Sequence, residues 1–116
     1  MKVEVFYVLD CPHHPRVVQE LRNVLLAEGM VEEIHEVAVR NASAARELKF
    51  RGSPTIRING WDVAGESPEP ELYALACRIY PGAIKEGAKE GAKEAGVPPV
   101  EMIRRAVLRA REGETV

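Results

Sequence analysis

The strongest constraint on this chain is a two-residue punctuation mark. Asn59-Gly60 separates Thr55-Ile56-Arg57-Ile58, which alternates at period two, from Trp61-Asp62-Val63. A type I′ turn needs positive φ at both central residues, and this pair accepts that conformation, so the segment is read as a β-hairpin. Its strands need partners. Val3, Val5, Phe6, Val8 and Leu9 form a nearly continuous apolar run, the pattern of a central strand covered on both faces.

Helical spacing fills the rest of the framework. From 15 to 28, Val17, Val18, Leu21, Val24 and Leu25 share one arc of a helical wheel, and Gly29 provides the stop. Residues 31–39, with Val31, Ile34, Val37 and Val39 among acids, read as a second strand whose alternation breaks at Glu32-Glu33. Asn41 or Ser43 can cap a short helix running to Phe50. A further helical stretch covers 68–80, where Leu72, Leu75, Ala76 and Ile79 share a face with Cys77 at its edge, beside Tyr73. The last helix is expected over 98–111, with Val100, Ile103, Val107 and Ala110 inward, Pro98-Pro99 at its start and Glu101 in its first turn.

Between those two helices, residues 83–96 carry a Lys-Glu-Gly-Ala tetrad repeat with almost no apolar content. Each glycine costs a helix about 1 kcal/mol relative to alanine, and a Lys/Glu pair returns only about 0.2–0.5 kcal/mol. The repeat therefore reads as a solvated insertion in one domain spanning 1–116. A length of 116 residues and an apolar fraction of 46% suit one globular core.

Bulk charge narrows the function classes. A net charge of −2 with interspersed signs and 5% aromatic residues gives neither a basic stripe nor a stacking platform, so nucleic acid is not an expected partner. No apolar run approaches a membrane span, and the first strand starts directly after Met1-Lys2; the expectation is a cytoplasmic protein without a membrane partner. Two cysteines, Cys11 and Cys77, make no secreted-type disulfide framework. No phosphate-binding glycine pattern, serine elbow or carboxylate pair stands out, and no cofactor is expected.

Chemistry concentrates in Leu9-Asp10-Cys11-Pro12-His13-His14-Pro15. It sets a thiol between a strand and a helix, where backbone N–H groups and the helix dipole favour an anion, and a thiolate is the form that attacks disulfides. His14 follows at the spacing that returns to the same side of a first helical turn. A lone cysteine can equally be a small buried hydrophobe. Trp61 reads as cover for one hairpin face, His35 as a strand-surface side chain, and Tyr73 and Tyr80 as packing at the core edge. Gly52-Ser53-Pro54-Thr55 places a proline, which cannot donate to a ladder, at the start of the hairpin's first strand.

The order strand, Cys-Pro at a helix start, strand, short helix, Gly-Ser-Pro-Thr, then an Asn-Gly hairpin followed by Gly65, resembles the thioredoxin-like superfamily over most of 1–80. Together with Cys77-Arg78-Ile79-Tyr80 and Gly96-Val97-Pro98-Pro99, it looks like a group of small bacterial and archaeal thioredoxin-like proteins. The resemblance implies an α/β fold with a four-stranded mixed sheet flanked by helices. It also implies a redox motif at Cys11-Pro12-His13-His14, a cis proline at Pro54 facing Cys11, and Ser53 and Pro12 on the substrate side, with Ser53 main-chain groups meeting an extended partner. His14 stands where a second cysteine stands in a dithiol motif, so the resolving thiol is missing locally.

The expected activity is therefore thiol–disulfide exchange through one nucleophilic cysteine, with a protein or glutathione-like thiol or disulfide as partner. The catalytic candidates are Cys11, His14, Pro54 and Cys77. Two alternatives stand beside it: a catalytically silent binding module, and a soft-metal protein using Cys11, His13, His14 or Cys77.

Overall fold

A computed structural model describes residues 1–65 and 97–114. The expected helix over 68–80, Cys77, Tyr73, Tyr80 and the 83–96 repeat lie outside the described residues. The described elements are β1 (Val3–Tyr7), α1 (His14–Ala27), β2 (Ile34–Ala38), α2 (Ala42–Glu47), β3 (Thr55–Ile58), β4 (Trp61–Asp62) and α3 (Val100–Glu114). The fold is α/β, with a four-stranded mixed sheet in the order β2-β1-β3-β4. β1 runs parallel to β2 and antiparallel to β3, and β4 returns antiparallel beside β3.

The apolar run in β1 occupies the centre of this sheet because both its faces are covered. Val3 and Val5 join Ile56 and Ile58 of β3 in a cluster with Val17, Leu21 and Leu25 of α1 and Ile103 and Val107 of α3. Phe6 points the other way, into a smaller cluster with Val39, Ala45 and Phe50. Helices thus flank both faces, α1 and α3 on one and α2 on the other.

Element boundaries follow their local chemistry. Every apolar position expected to face inward on α1 is buried. Gly29 ends that helix at φ +70°, a left-handed conformation that glycine adopts without a side-chain clash, while Met30 N–H donates to Leu25 O at 2.8 Å. Asn41, rather than Ser43, caps α2: its Oδ1 accepts from Ala44 N–H at 2.8 Å. At the hairpin, Asn59 and Gly60 both have positive φ, 54° and 84°. Asn59 also reaches the chain start, with its N–H donating to Lys2 O at 2.7 Å and its Oδ1 accepting from Lys2 N–H at 2.8 Å.

Several expectations are corrected. Val8 and Leu9 fall outside β1, because Val8 N–H and C=O bond to Ser53 and Cys11 rather than to a neighbouring strand. β2 is shorter than 31–39, and Val31 is exposed ahead of it. Val100, expected inward, is 48% exposed: it opens α3 one turn before the buried stretch that starts at Ile103. Trp61 does not cover the hairpin. It pairs with Ile58 on the two-residue edge strand β4 and is 68% exposed.

Candidate functional site

Cys11 sits in the loop where β1 ends, three residues ahead of α1, and the residue is 8% exposed. It is a free thiol. The loop is shaped by Asp10 at φ +66° and by two short bonds: Cys11 N–H donates to Val8 O at 3.2 Å, and His14 N–H donates to Cys11 O at 3.4 Å. The N-terminal cap of α1 is His13, whose side chain makes no capping bond, so the thiol lies in the approach to the helix rather than at its cap. Pro12 is exposed on the outer side of the same loop.

The Gly52–Thr55 segment is tied to this loop. Val8 N–H donates to Ser53 Oγ at 3.0 Å, and Val8 O accepts from Cys11 N–H, so a continuous path of two hydrogen bonds runs from Ser53 to the cysteine backbone. The Ser53–Pro54 peptide bond is cis, as the resemblance implies, and both residues are buried. Thr55 Oγ1 donates back to Gly52 O at 2.6 Å.

Two arginines hold the approach to this segment. Arg57 Nη2 donates to the carbonyls of Leu48 and Lys49 while its guanidinium lies 4.7 Å above the Phe6 ring. Arg51 Nη1 donates to Asp62 Oδ2 at 3.1 Å and also to Gly65 O. The Asp62 side chain is 3% exposed, and its other oxygen accepts from Ala64 N–H at 2.9 Å. A buried carboxylate needs such partners to offset lost hydration.

His14 is held from two sides. Its ring stacks on Tyr7, with centroids 3.7 Å apart and planes 7° from parallel, and its Nε2 lies 2.6 Å from Glu36 Oε1. The sheet register explains the meeting. Val5 pairs with Glu36 and Tyr7 with Ala38, so alternation sets Tyr7 and Glu36 on the same face as Val5, directly under the first turn of α1. Sequence reasoning singled out His14 but missed Tyr7 and Glu36. The available signal was Glu36 in phase with Ile34, a carboxylate on an otherwise apolar face.

The structure therefore ties the Cys11 loop to Ser53 through Val8, and starts α1 at His14, three residues after Cys11. No hydrogen bond joins the His14 ring to the Cys11 sulfur among the described residues. His35 is exposed on β2, as expected. Among the described residues, no group of three or more His, Cys, Asp and Glu side chains is placed to hold a metal ion, so the soft-metal alternative has no ligand set there. No helix among them is long and apolar enough to cross a membrane.

A groove of about 960 Å³ lies elsewhere, between the hairpin and α3, with Ile58, Trp61, Val63, Met102 and Ala106 along it. Neither Cys11 nor His14 lines it. The chain matches no protein-family model, no curated protein and no solved structure.

Proposed function

We propose that this chain is a thioredoxin-like thiol–disulfide exchange protein that works through Cys11 and an external thiol of the glutathione class. The observation that carries the reading is the bonded path from Ser53 Oγ through Val8 to Cys11 N–H. It fixes a nucleophile-bearing loop against a second loop whose backbone can align an extended or small disulfide. Cys11 attacks one sulfur of the bound disulfide, forms a mixed disulfide and expels the other half as a thiolate. The motif has no second cysteine at position 14, so an incoming thiol completes the cycle.

The test is glutathione-driven reduction of a small disulfide by the full chain and two variants. Cys11→Ser is expected to abolish turnover, and Cys77→Ser to retain it. A Cys77→Ser protein trapped as a persistent Cys11 mixed disulfide under excess glutathione would make Cys77 the resolving thiol instead. Turnover that is unaffected by Cys11→Ser would remove the exchange reading and leave a silent binding module.

A further inference from the structure

We infer that His14 and Glu36 form an acid–base pair serving Cys11, with Glu36 as a positioning residue that sets the imidazole for proton transfer to and from reacting thiols. The inference rests on the exchange reading above and adds to it the question of where the proton goes.

A side chain recruited only for packing needs no fixed ring direction. His14 has both its ring plane and its in-plane direction fixed: stacking on Tyr7 sets the plane, and the 2.6 Å bond from Nε2 to Glu36 sets the rotation. These constraints come from two neighbouring strands, β1 and β2, whose register sets Tyr7 and Glu36 on one face. With Nε2 engaged by a carboxylate, Nδ1 is the nitrogen left for exchange. A carboxylate held on one ring nitrogen orients the imidazole, as a third group does for a histidine beside a nucleophile. His14 N–H donates to Cys11 O at 3.4 Å, so the two residues stand one i,i+3 turn apart at the entry to α1. The His14 side chain is 19% exposed and that of Glu36 44%, so small molecules can reach the pair.

The chemistry balances. The Cys11 thiolate attacks R–S–S–R′, the Cys11–S–R bond forms as the old S–S bond breaks, and R′–S⁻ takes a proton from His14 Nδ1. An external thiol G–SH then gives its proton to Nδ1, its thiolate attacks the R sulfur, and G–S–S–R leaves with Cys11 returned as thiolate. The disulfide is consumed, another is formed, and the external thiol supplies both the sulfur and the proton.

Steady-state kinetics on the full chain test the pair, with hydroxyethyl disulfide as substrate and glutathione as thiol. His14→Ala is expected to lower kcat about 100-fold, the lower end for loss of a general acid–base, and free imidazole to restore part of it. Glu36→Gln is expected to lower kcat about tenfold with KM changed less than about twofold, and Glu36→Asp to recover a portion of that loss. Urea unfolding of each variant reports whether folding is retained. Glu36→Gln with native kcat, or His14→Ala that is folded yet indifferent to imidazole, overturns the pair while Cys11-dependent turnover stands. Loss of turnover in Cys11→Ser together with an unaltered Glu36→Gln separates the two ideas, and an inactive native chain removes both.

Discussion

The two faces of the sheet are built by different means. Among the described residues, the face under α1 and α3 buries thirteen residues in one cluster, whereas the face under α2 buries four. On the larger face apolar area removed from water does most of the holding, with the directional contacts of His14 added to it. The smaller face is fastened instead by directional contacts: Arg57 to two carbonyls and the Phe6 ring, and Arg51 to Asp62 and Gly65. Directional bonds define where a loop stops. The Gly52–Thr55 loop, which is bonded to the Cys11 loop through Val8, hangs from the face that is bonded rather than filled. Among the described residues, every buried side-chain nitrogen and oxygen has a hydrogen-bond partner, whichever face it lies on.

The comparison can be broken from its larger side. Leu21→Ala removes a fully buried side chain from the thirteen-residue cluster and is expected to cost about 2–5 kcal/mol in urea unfolding, through lost transfer energy and a residual cavity. A loss below about 1 kcal/mol would mean that α1 packs too loosely to be the main source of stability. Exchange activity per folded molecule should stay near native, since the substitution touches neither loop.

Ser53→Ala sharpens the contrast from the bonded side. It deletes the oxygen that accepts from Val8 N–H and is expected to cost about 1–3 kcal/mol, with a larger proportional loss of Cys11 turnover. The ratio of activity lost to stability lost should therefore exceed that of Leu21→Ala. Equal ratios would show that the loop-to-loop tie serves stability alone.

The smallest effect is expected at the hairpin edge. Trp61→Ser should move stability by no more than about 0.5 kcal/mol, because the indole is mostly in solvent and leaves no cavity behind. Chemical denaturation measures this directly. A loss near 2 kcal/mol would mean that the indole contributes to packing at the hairpin edge.

What the sequence made legible was whatever depends on neighbours along the chain. The Asn59-Gly60 turn, the inward arc of α1, the cap at Asn41 and the glycine stop at Gly29 all follow from local rules, and all stand in the structure. Trp61 and Val100 were misread for a shared reason. Periodicity assigns a residue to a face but does not say how far the covering layer extends, and both lie beyond its edge. Glu36 and Tyr7 were missed because their meeting with His14 depends on β1–β2 register, which no short window of sequence contains. Cys11 and Ser53 were both marked as chemistry, yet the atom that links them, the Val8 amide, carries no side-chain signal at all.

The central position of β1 has a consequence for how the chain is made. Its antiparallel neighbour β3 comes late: the bond between Lys2 and Asn59 spans 57 residues. At roughly 5–20 residues per second of synthesis, β1 waits on the order of 3–11 s for that partner. During this interval β1 can be covered by α1, β2 and α2, which all precede β3 in the chain, so the βαβ unit can form before the hairpin does. Cys11 thus passes through an interval in which the loop bonded to its own has not yet been made.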